Sequence, residues 1–156
     1  MKYKKIDNNI ISEFLEFLNK DQIISEKESK LPYSKDETED LVYIPELVLI
    51  PSNTEEVSKI LKICNTHIIP VTVRGTGTGL SGGALPVRGG IVLSMERFNK
   101  IINIDTDNFQ ITVEPFVINY DMQTAVKEKG LFYPPDPAND KNCSIGGKIS
   151  ENSDGT

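Results

Sequence analysis

Seven of the eleven glycines in this 156-residue chain fall between Gly75 and Gly90, in the run RGTGTGLSGGALPVRGG. Glycine admits positive φ and lets backbone approach a ligand closely, so a run of this kind turns several N–H groups toward one anion. Thr76, Thr78 and Ser81 add hydroxyls that can donate to the same oxygens. The run excludes a regular helix or strand over its length and points to a cradle for phosphate or diphosphate. The bland alternative is a glycine-rich turn region that holds no ligand.

Three familiar patterns can be laid over the run, and each demands a context. Gly77-Thr78-Gly79-Leu80-Ser81-Gly82 satisfies GxGxxG, which requires a helix to open at the loop. Pro86, Gly89 and Gly90 follow instead and then a strand, so a nicotinamide-type reading fails. Gly79 to Gly83 satisfies GxSxG, but the nucleophile elbow needs a following helix and a later histidine, and the only histidine is His67. A P-loop needs Lys and then Ser or Thr where Gly83-Ala84 stand. What survives is strand, glycine loop, strand: an anion nest built without a helix dipole.

Composition narrows the partners. Lys and Arg number 17 against 23 Asp and Glu, a net charge of −6 spread along the chain, which argues against nucleic acid and anionic membrane. Cys64 and Cys143 form no CxxC and His67 has no companion at ligand spacing, so no metal site is expected. Lys2, Lys4 and Lys5 resemble the start of a signal peptide, but Glu13 and Glu16 interrupt the apolar stretch that follows. The expectation is a cytoplasmic protein with no transmembrane segment, sized as one domain or a piece of a larger one.

The rest of the chain reads as α+β. Ile10, Ile11, Phe14, Leu15 and Leu18 recur at helical spacing, with Asn9 or Ser12 as candidate cap. Residues 25–40 are charged and polar and contain Pro32, so a solvated connection with little regular structure is expected. Glu46 to Ile50 is β-prone, and Asn53 with Glu56 predicts a capped helix carrying Val57, Ile60, Leu61 and Cys64 on one face, Cys64 as core. His67, near the helix end, is expected to cap or lie at the surface. Ile68 to Val73 and Ile91 to Ser94 read as strands. Ile101 to Ile104 and Gln110 to Glu114 read as a hairpin, and Asn119 to Lys129 as a helix with Met122, Ala125 and Val126 inward, stopped by Gly130.

Taken together, VTVRGTGTGLSGGALPV, IVLSMERFNKIINID, ITVEP, GLFYPPDP and CSIGGKISEN resemble the N-terminal FAD-binding region of the glycolate oxidase D-subunit and D-lactate dehydrogenase group, within the vanillyl-alcohol oxidase / p-cresol methylhydroxylase flavoproteins. The match runs from about Pro45 to Asn152. The fold implied is the first subdomain of a p-cresol methylhydroxylase-type FAD-binding domain, with the second subdomain truncated. Residues 1–40 are then an N-terminal helix and polar connection, and residues 41–156 a partial FAD-binding domain.

By that resemblance, the loop from Arg74 through Gly83 holds the FAD diphosphate. Backbone N–H groups of Gly75, Thr76, Gly77, Thr78 and Gly79, and of Ser81 and Gly82, would meet its oxygens, with Leu80 inside the same loop. Arg74 would mainly shape the loop rather than neutralise the anion. Some members attach the flavin through a histidine at the position of Thr78, and threonine cannot form that bond, so non-covalent FAD is implied. Pro134 to Pro137 would border the flavin, Pro135 among them, as a stiff wall. Ser144, Gly146, Gly147 and Asn152 match the second cofactor segment, usually T-I-G-G-N-x-x-x-N-A-G-G. Here Lys148 stands where asparagine is common, free to pair with a phosphate or to face solvent, and Ser153-Asp154 replaces Ala-Gly.

The parent chemistry implied is oxidation of a 2-hydroxy acid of glycolate or D-lactate type. The substrate-binding arginine, metal-ligating histidines and catalytic base would come from a missing C-terminal half of the same enzyme, so no catalytic residue is assigned here. An iron–sulfur subunit or an electron-transferring flavoprotein is the implied electron-transfer partner. The competing expectation is an FAD-binding module, or a decayed fragment, without activity of its own.

Overall fold

The structure, a computed structural model, describes residues 3–135 and 141–153. Its strands are β1 (Ile23–Ile24), β2 (Leu47–Leu49), β3 (Val71–Arg74), β4 (Ile91–Ser94), β5 (Ile101–Asp105) and β6 (Gln110–Val113). Its helices are α1 (Asn8–Leu15), α2 (Lys27–Lys30), α3 (Thr54–His67), α4 (Asn119–Lys127) and α5 (Ile145–Ser150). The apolar run LVL and the run IVL closed by a buried Ser94 become the two central strands of a four-stranded sheet ordered β1-β2-β4-β3. Strands covered on both faces need no polar alternation. β2 and β3 run parallel to β4, and β1 closes the far edge antiparallel to β2.

Alternation across the strands sorts the side chains between two layers. Leu47, Leu49, Ile91 and Leu93 face a cluster completed by Ile10, Phe14, Leu18, Ile60, Cys64 and Ile69 under α1 and α3. Val48 and Val92 face the other way, onto Ile50, Ile24 and Tyr33. Each fully buried side chain of this size contributes roughly 1.5–3 kcal/mol. Burial pushes the Cys64 thiol up to about 12, as its place in the core requires.

α3 starts as its sequence predicts: Glu56 N–H donates to Asn53 Oδ1 at 2.9 Å and Asn53 Nδ2 to Glu56 Oε1 at 2.8 Å. Its inward face is narrower than expected, because Leu61 is 44% exposed. His67 is held by Glu13, Nε2 to Oε1 2.9 Å, which ties α3 to α1. The helix ends on Ile68 in the left-handed region at φ 56°, with Ile69 N–H reaching back to Cys64 O at 2.8 Å. β3 consequently begins at Val71 and not at Ile68. α1 is capped by Asp7, which accepts the Ile10 N–H at 3.0 Å, in place of the expected Asn9 or Ser12.

The hairpin β5–β6 turns on Asp105, which accepts from the N–H groups of Asp107 and Asn108. α4 buries Met122 and Val126, with Ala125 half-buried, and ends in a Schellman turn: Gly130 N–H to Lys127 O and Leu131 N–H to Val126 O, both 3.0 Å. A bridge between Ile118 and Ser144 and a cluster of Val117, Met122 and Ile145 seat α5 against this second layer. β3 and β4, parallel neighbours, are joined by residues 75–90 with no helix between them, although such crossovers usually contain one. The glycine loop is that crossover.

Candidate functional site

The loop leaves β3 at Arg74, whose side chain turns underneath it. Arg74 Nη2 donates to Pro32 O at 3.2 Å, and a Cβ on Gly77 would collide with the guanidinium. Gly77 also sits at φ +77°, a conformation L side chains rarely adopt. Arg74 is buried, Nη1 finds no hydrogen-bond partner among the described residues, and burial pulls its pKa down against the opposing charge of Asp36. Arg74 is thus part of the floor.

The polar segment expected to be a solvated connection is a brace instead. It forms α2 and a 3₁₀ turn over Leu31–Tyr33 and runs beneath the glycine loop. Glu37 N–H donates to Gly79 O at 3.1 Å, and Gly82 N–H donates to Thr38 Oγ1 at 2.9 Å. Tyr33 donates to Glu96 Oε2 at 3.0 Å, and burial raises its pKa to about 12. A flat charge count hides these contacts because their donors and acceptors within the segment are a backbone amide and the hydroxyls of Thr38 and Tyr33.

Opposite the loop stands the second glycine segment. Ser144 Oγ fills the place a Cβ on Gly75 would take, and Ser81 Oγ donates to Glu151 Oε2 at 2.9 Å. A cleft of about 860 Å³ opens between the segments, within the 300–1,000 Å³ usual for cofactor pockets. Gly75, Thr76, Gly77, Thr78, Gly79, Leu80 and Gly82 line it from one side, and Ser144, Gly146 and Gly147 from the other. Thr76 and Thr78 bring their hydroxyls within 3.4 Å of each other. Val71, Val73, Val87 and Met95 supply an apolar wall that the sequence pattern did not single out. Backbone, hydroxyls and an apolar wall suit a dinucleotide.

Arg74, Ser81, Pro135 and Asn152 lie off the cleft wall. Arg74 is beneath the loop, Ser81 is turned to Glu151, and Asn152 is exposed at φ 52°. Pro135 O accepts from Gln123 Nε2 at 3.3 Å and from Lys148 Nζ at 3.1 Å, while Asp136 and Pro137 of the expected proline wall lie outside the described residues. Lys148 is buried rather than facing solvent; its ammonium also reaches Asn119 Oδ1 at 3.2 Å and stands 5.0 Å over the Tyr133 ring. The first N–H groups of α5 are already used, Ile145 on Val117 O and Gly146 on Pro115 O. Gly146 is required by that packing, since a Cβ there would come 2.8 Å from Pro115 O.

A family model described as FAD binding domain matches residues 45–156. The chain belongs to the FAD binding domain family. It is 49% identical over 126 residues to glycolate oxidase subunit GlcD of Bacillus subtilis (strain 168), covering 81% of this chain and 27% of that one. It is 34% identical over 158 residues to D-lactate dehydrogenase of Anaerostipes hadrus, covering 98% of this chain and 32% of the relative. The chain thus spans about a quarter to a third of the length of these curated relatives. Among solved structures, p-cresol methylhydroxylase with substrate bound superposes on 82% of this chain and 27% of its own with a TM-score of 0.70 at 31% identity. Alkyldihydroxyacetonephosphate synthase shares the fold over 99% of this chain and 33% of its own, TM-score 0.86 at 18% identity. The expected α+β fold, part of a p-cresol methylhydroxylase-type FAD-binding domain, is the fold found, and FAD is the cofactor of this family. Among the described residues no helix is long and apolar enough to cross a membrane.

Proposed function

We propose that this chain is the N-terminal part of an FAD-dependent dehydrogenase or oxidase of 2-hydroxy acids, of glycolate or D-lactate type, and that the loop from Arg74 to Gly82 holds the FAD diphosphate. The observation that carries this is the single cleft with the two glycine segments as its opposite walls. Loop N–H groups and the Thr76 and Thr78 hydroxyls donate to the diphosphate. Gly82 takes a different part, because its N–H is spent on Thr38 and serves to hold the loop in shape. Ser144 and Gly147 close the opposite side, and Pro135, pinned by Lys148 and Gln123, borders the ring system.

The flavin, when bound, supplies the hydride-accepting chemistry that no side chain can. Thr78 leaves the attachment non-covalent. The catalytic groups belong to a C-terminal half of the same enzyme, and reoxidation to an iron–sulfur subunit or electron-transferring flavoprotein in a cytoplasmic setting. Calorimetric titration with FAD and with ADP tests the binding role. Saturable binding of both supports it, and silence with both rejects it. Joined to its downstream coding sequence, the protein should carry a flavin spectrum that bleaches with D-lactate or glycolate.

A further inference from the structure

Among the described residues lining the cleft, Glu151 is the only acidic one and Lys148 the only basic one. Lys148 Nζ is engaged by Asn119 and Pro135, whereas the Glu151 carboxylate lies across the glycine loop. Its Oε2 accepts the Ser81 hydroxyl at 2.9 Å, and its Oε1 lies 2.8 Å from where a Cβ would stand on either Gly79 or Gly83. The residue is anchored at the end of α5 by its own N–H on Gly147 O at 3.0 Å. A fixed negative charge therefore sits beside amides that the proposed function gives to an anion.

We propose that Glu151 is a specificity-determining residue: it admits a diphosphate esterified at both ends, as in FAD, and disfavours one that ends in a free phosphate. The inference rests on the loop being a diphosphate site. An esterified phosphate keeps a single charge, whereas a terminal one carries about −1.5 to −2 at neutral pH. Backbone N–H groups attract either kind and discriminate weakly, so the carboxylate supplies the penalty that scales with charge. At contact distances near 4 Å in watery surroundings, a full like charge costs about fivefold in affinity. The Ser81 hydroxyl holds the carboxylate against the loop.

The test compares binding of ADP and its β-methyl ester, which differ in terminal charge, to the 156-residue chain and to its Glu151→Gln and Glu151→Asp variants. The residue is exposed, so neither substitution disturbs the core. The wild-type chain should prefer the ester, Glu151→Gln should tighten both ligands and shrink that preference about threefold, and Glu151→Asp should keep it. Binding with an unchanged ester-to-ADP ratio in Glu151→Gln, or weaker binding of both ligands, overturns the charge-selecting role. If the folded wild-type chain binds neither nucleotide nor FAD, the diphosphate reading itself has failed, and the inference with it.

Discussion

Gly77 combines a φ of +77° with a guanidinium packed where its Cβ would be, so two separate costs meet at one residue. An L side chain in the left-handed region costs roughly 1–2 kcal/mol before any clash. Gly77→Ala should lower stability in denaturant by at least that amount and weaken FAD at least tenfold in a fluorescence titration, because Arg74 must move out of the floor. Ile68 presents the opposite case, a β-branched side chain already held at φ 56° at the end of α3. Ile68→Gly should raise the urea midpoint, with a gain of roughly 1 kcal/mol. The first of these positions was legible as a glycine in a glycine run. The second was not, since nothing in HIIPVTV marks where helix becomes strand, and the Schellman closure onto Cys64 O decides it.

Elements whose signals are local came through the sequence intact. The Asn53 cap on the Glu56 amide, the Gly130 stop and the strand at Ile91 to Ser94 each rest on chemistry within a few residues. Asn53→Ala should cost about 1 kcal/mol of stability, read from thermal or urea unfolding. The brace over residues 31–38 depends instead on partners more than forty positions away, Gly82 for Thr38 and Arg74 for Pro32, and no periodicity encodes them. The same distance hid Glu151, which reads in sequence as one more charge and in the fold faces Ser81. Thr38→Val leaves the part-buried Gly82 N–H without its acceptor, at a cost of roughly 1–3 kcal/mol concentrated in the loop. FAD affinity should fall while the unfolding of the main sheet barely changes.

Across the whole molecule, pH acts through groups at two ends of the scale. Asp7, Asp21, Glu55 and Asp105 are held below their ordinary values of 3.8 for aspartate and 4.5 for glutamate, by the Ile10 amide, Arg97, Lys59 and Asn108 respectively. Their stabilisation is present above about pH 4.5 and is lost as pH falls through the folded values. All four are at the surface, so the acid limb should be shallow. Cys64 and Tyr33 are raised from 9.0 and 10.0 to about 12, so what they contribute is complete below pH 9.0 and declines toward 12. Melting temperatures should therefore form a plateau between about pH 5 and 9, with Cys64 unreactive to thiol reagents until the chain unfolds.

The family match begins at residue 45, yet the loop it is known by is propped by a carbonyl at Pro32, an amide at Glu37 and a hydroxyl at Thr38. The matched domain and the residues that keep its loop in shape therefore have different edges. Exchanging the upstream segment between relatives should then retune how firmly the proposed diphosphate loop holds FAD while leaving the loop's own sequence unchanged.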